Sequence, residues 1–118
     1  MQKNIVFTLY QDNKIISKET ILGNITNQNV SFVQGEMNHV LDLKEETFLR
    51  ENNEYSFFLD VKNKKCEIQL KKEKNILQLA VNYAIILQNE KEISLIYKTE
   101  STEEEIKLNL LALEGEIL

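Results

Sequence analysis
Alternation of apolar and polar residues constrains this chain more than any other feature, running with few breaks from Ile5 to Leu113. Tyr55, Phe57, Leu59 and Val61 alternate with Ser56, Phe58 and Asp60. Cys66, Ile68 and Leu70 alternate with Glu67 and Gln69, while Leu77, Leu79, Val81, Tyr83, Ile85 and Leu87 share one parity. A period of two sends successive side chains to opposite faces, so these runs read as half-buried antiparallel strands rather than helices.

Ten strands are expected: Asn4 to Gln11, Ile15 to Thr26, Val30 to Gln34, Val40 to Leu43, Thr47 to Glu51, Tyr55 to Val61, Lys65 to Lys71, Ile76 to Gln88, Glu92 to Thr99 and Glu105 to Leu111. The connectors between them, such as Asp12-Asn13, Asn27-Gln28-Asn29, Lys44-Glu45-Glu46, Asn52-Asn53, Asn63-Lys64, Asn89-Glu90-Lys91 and Ser101-Thr102, are short, polar and rich in asparagine. Asparagine tolerates positive φ, which suits hairpin turns, and sequential hairpins make a meander. No proline interrupts the pairing.

A sheet of about eight to ten strands with one apolar face and no helix to cover it must curl into a barrel or split into a sandwich. The barrel is the favoured reading, an all-β single domain spanning residues 1–118. The long Ile76 to Gln88 run is expected to bend near Asn82. The C-terminal segment is ambiguous. Thr102-Glu103-Glu104-Glu105 resembles a capping box, and Ile106, Leu110, Leu113 and Ile117 fit a helical stripe as well as Ile106, Leu108 and Leu110 fit a strand. The strand is preferred because a short turn after Glu92 to Thr99 makes the pair a hairpin.

With 42% hydrophobic and 28% charged residues, the 118-residue chain has the composition of a globular protein. Its net charge of -5 opposes binding to nucleic acid or anionic lipid. The one dense basic cluster, Lys62, Lys64, Lys65, Lys71, Lys72 and Lys74, flanks the Cys66 to Leu70 strand and reads as edge protection or solvation. A single cysteine fits a reducing compartment, and no apolar run suits a signal peptide or a membrane span, so a cytoplasmic protein is expected. The excess of lysine, asparagine and isoleucine suggests an A+T-rich, bacterial coding bias.

Residues able to carry chemistry are few. His39 is the sole histidine and has no G-x-S-x-G or papain-type context, so it reads as a loop or strand-edge residue rather than a catalytic base. Cys66 shares a face with Ile68 and Leu70 and reads as buried packing. No metal-ligand spacing or glycine-rich phosphate loop occurs, so neither metal nor cofactor is expected. Glu19 shares its parity with Ile15, Ile21 and Ile25; an inward carboxylate would be perturbed unless a bulge turned it outward or a lysine or tyrosine satisfied it. Arg50 is the single arginine beside thirteen lysines, and its planar guanidinium suits a carboxylate or an aromatic ring. Either it ties strand ends together at the barrel mouth or it anchors a ligand.

The strand order, with Thr47-Phe48-Leu49-Arg50, then Tyr55 to Val61, Ile76 to Gln88 and the hairpin of Ile93 to Tyr97 with Ile106 to Leu111, resembles the YwiB-like family of small bacterial calycin-like β-barrels of unknown function. Arg50 falls at the arginine of that family's strand pattern, whereas Lys72-Glu73-Lys74-Asn75 stands where a turn like T-P-Y-G is expected. The resemblance implies a lipocalin-like barrel. Fold alone does not transfer function. The leading expectation is a non-enzymatic binder of a small apolar or amphipathic ligand, or of a protein partner. In the ligand case Tyr55, Phe57, Tyr83 and Tyr97 would line a cavity and Arg50 would reach an acidic head group. The alternative is an enzyme using Arg50, Glu19 and a tyrosine at the barrel mouth.

Overall fold
In the computed structural model, which describes residues 1–118 apart from Asn27 and Thr102, all regular structure is β. The strands are β1 (Gln2–Gln11), β2 (Lys14–Thr26), β3 (Asn29–Gln34), β4 (Met37–Asp42), β5 (Thr47–Glu51), β6 (Tyr55–Asp60), β7 (Lys65–Leu70), β8 (Asn75–Gln88), β9 (Glu92–Thr99) and β10 (Ile106–Ala112). Each pairs antiparallel with its neighbour in sequence, and β1 closes the meander onto β10 with Ile5 opposite Ala112 and Gln11 opposite Ile106. The C-terminal ambiguity resolves to a strand, since Leu108, Leu110 and Ala112 must face the interior to complete the ring. The Asn27-Gln28-Asn29 and Ser101-Thr102 turns, and the Thr102 end of the capping box, reach residues outside those described.

Turn chemistry follows the sequence. Asp12 and Asn13 both take positive φ, 49° and 66°, the arrangement a two-residue hairpin needs. Asp42, Asn52, Asp60 and Asn89 each accept backbone N–H groups two or three residues ahead, the short-range bond that makes these residues turn formers. At Asp60 the bond from the Asn63 side chain also holds the carboxyl below its usual range.

Two strands divide their pairing between their two neighbours along their length. Residues 75–80 of β8 pair with β7 and residues 81–88 pair with β9, the change falling where the register skips Asn82. Likewise β2 pairs with β1 from Lys14 to Asn24 and, among the described residues, with β3 only through Asn24, Ile25 and Thr26. Bends and bulges of this kind increase the local twist and re-aim a strand as the barrel closes.

The interior is filled by rings. Phe7, Phe32, His39, Phe48, Phe57 and Tyr97 form an unbroken series across the barrel, with successive centroids 4.5 to 6.4 Å apart, within the range of favourable aromatic packing. Ile5, Leu59, Ile93 and Leu95 fill the space around them. A residual space of about 10 Å³ lies among Phe32, Leu41, Phe48, Ile93, Leu95, Leu108 and Leu110, room for no more than one water. Below the rings the chain end turns under the barrel: Ile117 is fully buried and its N–H donates to the Glu90 carbonyl.

Candidate functional site
The wall of the barrel parts between β2 and β3. Above Asn24 and Ser31 these strands no longer pair, so the β2 edge from Lys14 to Gly23 and the β3 edge beyond Phe32 diverge. Higher up a long 3.4 Å hydrogen bond from Gln34 Nε2 to Ser17 Oγ spans the gap, the one such side-chain bond among the described residues. The opening is a cleft of about 910 Å³ whose lining includes Glu19, Ile21, Phe32, Asn38, His39 and Glu51.

His39 forms the floor. It stands on β4, opposite Phe32 on β3 and Arg50 on β5, with its side chain turned inward and only 3% exposed. The expectation of a loop or strand-edge histidine is therefore corrected. The tight turn at Gly35-Glu36, with Gly35 at φ 61°, starts β4 at Met37 and carries residue 39 into the wall. The imidazole lies flat on Phe32, 4.5 Å between centroids and 11° between planes. Neither Nδ1 nor Nε2 has a hydrogen-bond partner among the described residues. Burial, helped by the Arg50 charge, lowers its pKa from 6.5 to about 4, so at neutral pH the ring is uncharged and offers one donor and one acceptor.

Glu19 reaches the same cleft by a route that pattern reading did not foresee. It lies opposite Phe7 and so on the inward register, yet it is exposed because no β3 residue stands beside it. The bulge in β2 falls earlier, at Ile16, and does not turn Glu19 outward. The other carboxylate of the lining, Glu51, is held by Lys71 at 3.1 Å.

Arg50 lies on the far side of His39, half-buried and pointing inward. Its guanidinium carbon sits 5.1 Å from the centroid of the Phe57 ring, and its Nε is buried with no partner among the described residues. Tyr97 and Cys66 feel its charge but remain protonated at neutral pH. Burial raises the Tyr97 phenol to about 12 and the Cys66 thiol to about 11. Cys66 is 1% exposed, as its parity implied.

The sequence-derived ligand set divides accordingly. Arg50, Phe57 and Tyr97 come together, with Tyr55 half-buried beside the core. They pack on one another rather than around an open cavity. Tyr83 is corrected outright: the extra residue Asn82 reverses the parity of β8, leaving Tyr83 39% exposed on the outer face. There its phenol is raised by partial desolvation and by a hydrogen bond to the Glu105 carboxylate. Glu19 and Arg50 do not form the mouth imagined for an enzyme, since Glu19 lines the cleft and Arg50 stacks on Phe57. Among the described residues no group of three potential metal ligands converges. Comparison with protein-family models, with curated proteins and with solved structures gives no match, so the cleft is interpreted from its own geometry.

Proposed function
We propose that this barrel is a non-enzymatic binding module that takes a small, flat, polar ligand into the cleft between β2 and β3. One observation carries the reading: a histidine 3% exposed, with both ring nitrogens lacking a protein partner, forms the floor of an open cleft. Buried polar groups are nearly always hydrogen-bonded, and an unpartnered one costs about 1–3 kcal/mol. A ligand donor or acceptor could pair with one nitrogen of the neutral imidazole, whose nitrogens are themselves buried, once the ring turns toward the cleft, while Ile21 and Phe32 offer an apolar wall. No lysine or arginine is among the lining residues and Glu19 stands at the rim, so neutral or cationic ligands fit better than anions. The packed interior argues against a carrier of long acyl chains.

The test uses three probes of one shape and different charge: benzamidine, benzamide and benzoate. Each is titrated while the ring signals of His39, the sole histidine, are followed by NMR. Fragments this small commonly bind weakly, so the titration runs to tens of millimolar. Saturable shifts with benzamidine or benzamide, weaker with benzoate, are expected, and in His39→Phe the backbone amide signals of the cleft strands should no longer shift saturably. No saturable shift up to tens of millimolar with any of the three would overturn the proposal.

A further inference from the structure
Toward the end of the barrel opposite Ile117 stands the chain's single arginine, and no carboxylate among the described residues pairs with it. Arg50 lies on the inward register of β5, opposite His39 on β4 and Phe57 on β6. Its guanidinium stacks on the Phe57 ring at 5.1 Å and makes no hydrogen bond to any described residue. The adjacent Glu51 is held by Lys71 instead. The side chains that feel the Arg50 charge, His39, Cys66 and Tyr97, are all uncharged at neutral pH. A half-buried cation without a counter-charge is costly, and an arginine carries five donors in a fixed plane.

A second unpartnered donor stands beside it. Tyr97 on β9 packs on the same Phe57 ring, 5.6 Å between centroids, and is only 3% exposed, yet its hydroxyl makes no hydrogen bond to any described residue. Of the guanidinium nitrogens Nε alone is sealed off without a partner, so Nη1, Nη2 and the Tyr97 hydroxyl are the groups left to meet the open end. Around them the inward register is apolar and increasingly open. Ile68, opposite Phe57, is half-buried, and Leu77, opposite Ile68, is 59% exposed.

We propose that this end of the barrel binds a short-chain carboxylate, with Arg50 Nη1 and Nη2 donating to its two oxygens, the Tyr97 hydroxyl donating to one of them, and its alkyl tail against Ile68 and Leu77. The planar guanidinium matches the two oxygens of a carboxylate, which a spherical halide cannot reproduce. Burial raises the Tyr97 phenol to about 12, so it stays a donor at neutral pH. The packing sets the length of the tail. The aromatic series from Phe7 to Tyr97 fills the barrel below, and the space of about 10 Å³ beneath it gives a long chain nowhere to enter. The site is separate from the cleft, whose lining includes neither Arg50 nor Tyr97, and it selects the opposite charge.

The single arginine gives one Nε–Hε signal, so butyrate binding to the full chain can be followed by NMR at that signal and at the backbone amides of Tyr55, Phe57 and Tyr97. Butyramide, of the same shape without the charge, and chloride at matched ionic strength are the controls. Each is titrated to tens of millimolar, since ligands this small commonly bind weakly. Saturable shifts with butyrate alone are expected. Arg50→Gln, read at the amides, should weaken binding by about tenfold or more. Tyr97→Phe removes only the hydroxyl and keeps the ring on Phe57, and should weaken it about three- to tenfold. Lys107→Gln, which removes a cation stacked on Tyr10 at the outer face, should leave it unchanged. The Tyr97 variant keeps the test decisive even if the Arg50 variant folds poorly. No saturation with butyrate, equal saturation with butyramide or chloride, or binding indifferent to Tyr97→Phe would overturn the proposal.

Discussion

A buried neutral imidazole ties the stability of this protein to pH. An unfolded chain binds a proton at His39 near pH 6.5, whereas the folded chain binds it only near pH 4. Between these values the unfolded state holds more protons, so stability is complete above pH 6.5 and falls as the pH drops through that window. The full difference corresponds to on the order of 3 kcal/mol. Urea titrations at pH 7 and pH 4 should show this loss, and His39→Phe should abolish most of it. That variant keeps a ring against Phe32 and removes two unpartnered nitrogens, so a gain of about 1–2 kcal/mol at pH 7 is expected. A loss instead would mean that the imidazole is a structural partner rather than a residue kept for binding. Cys66 makes a simpler case. With the thiol 1% exposed and raised to about 11, native labelling should be slow until denaturant is added.

At the level of elements, pattern reading recovered all ten strands, yet it missed the two local events that shape the surface. The residues of β8 alternate without a break, and only pairing with β9 reveals that Asn82 is an extra residue and that Tyr83, Ile85 and Leu87 face outward. A bend near Asn82 was expected, but a bend that reverses parity differs from one that preserves it, and side-chain type does not distinguish them. The cleft was hidden for a related reason. Nothing in Lys14 to Gly23 states that its neighbour ends at Gln34, so Glu19 was expected to need either a bulge turning it outward or a lysine or tyrosine to satisfy it. His39 was overlooked because Gly35 allows a turn tighter than the one assumed. Gly23 adds a testable detail on the same strand. A Cβ there would run into the Ile5 side chain, itself fully buried, so Gly23→Ala should cost about 1–3 kcal/mol by thermal or urea denaturation. A neutral result would show that Ile5 can change rotamer without losing packing.

For the whole molecule, closure of the ring leaves the two ends and the seams as the places where the interior could meet solvent. At the lower end, the backbone after β10 folds under the barrel: Leu113 N–H reaches the Asn4 carbonyl, Lys3 Nζ reaches the Glu116 carbonyl at 2.6 Å, and Ile117 inserts beneath the core. This plug is tied to β1 and to the β8–β9 turn, so it fastens the first and last strands of the meander together. Such closure depends on contacts between residues more than a hundred positions apart, the kind that forms late and rewards the rest of the fold only once made. Ile117→Ala should therefore cost about 2–5 kcal/mol, the range for truncating a fully buried aliphatic side chain. It should do so without altering the His39 ring signals, because the cleft opens through the side wall and Ile117 is not part of its lining. Urea denaturation supplies the first quantity and NMR the second. A cost below about 1 kcal/mol would mean that the segment frays from the barrel and that the core is sealed by the strands alone.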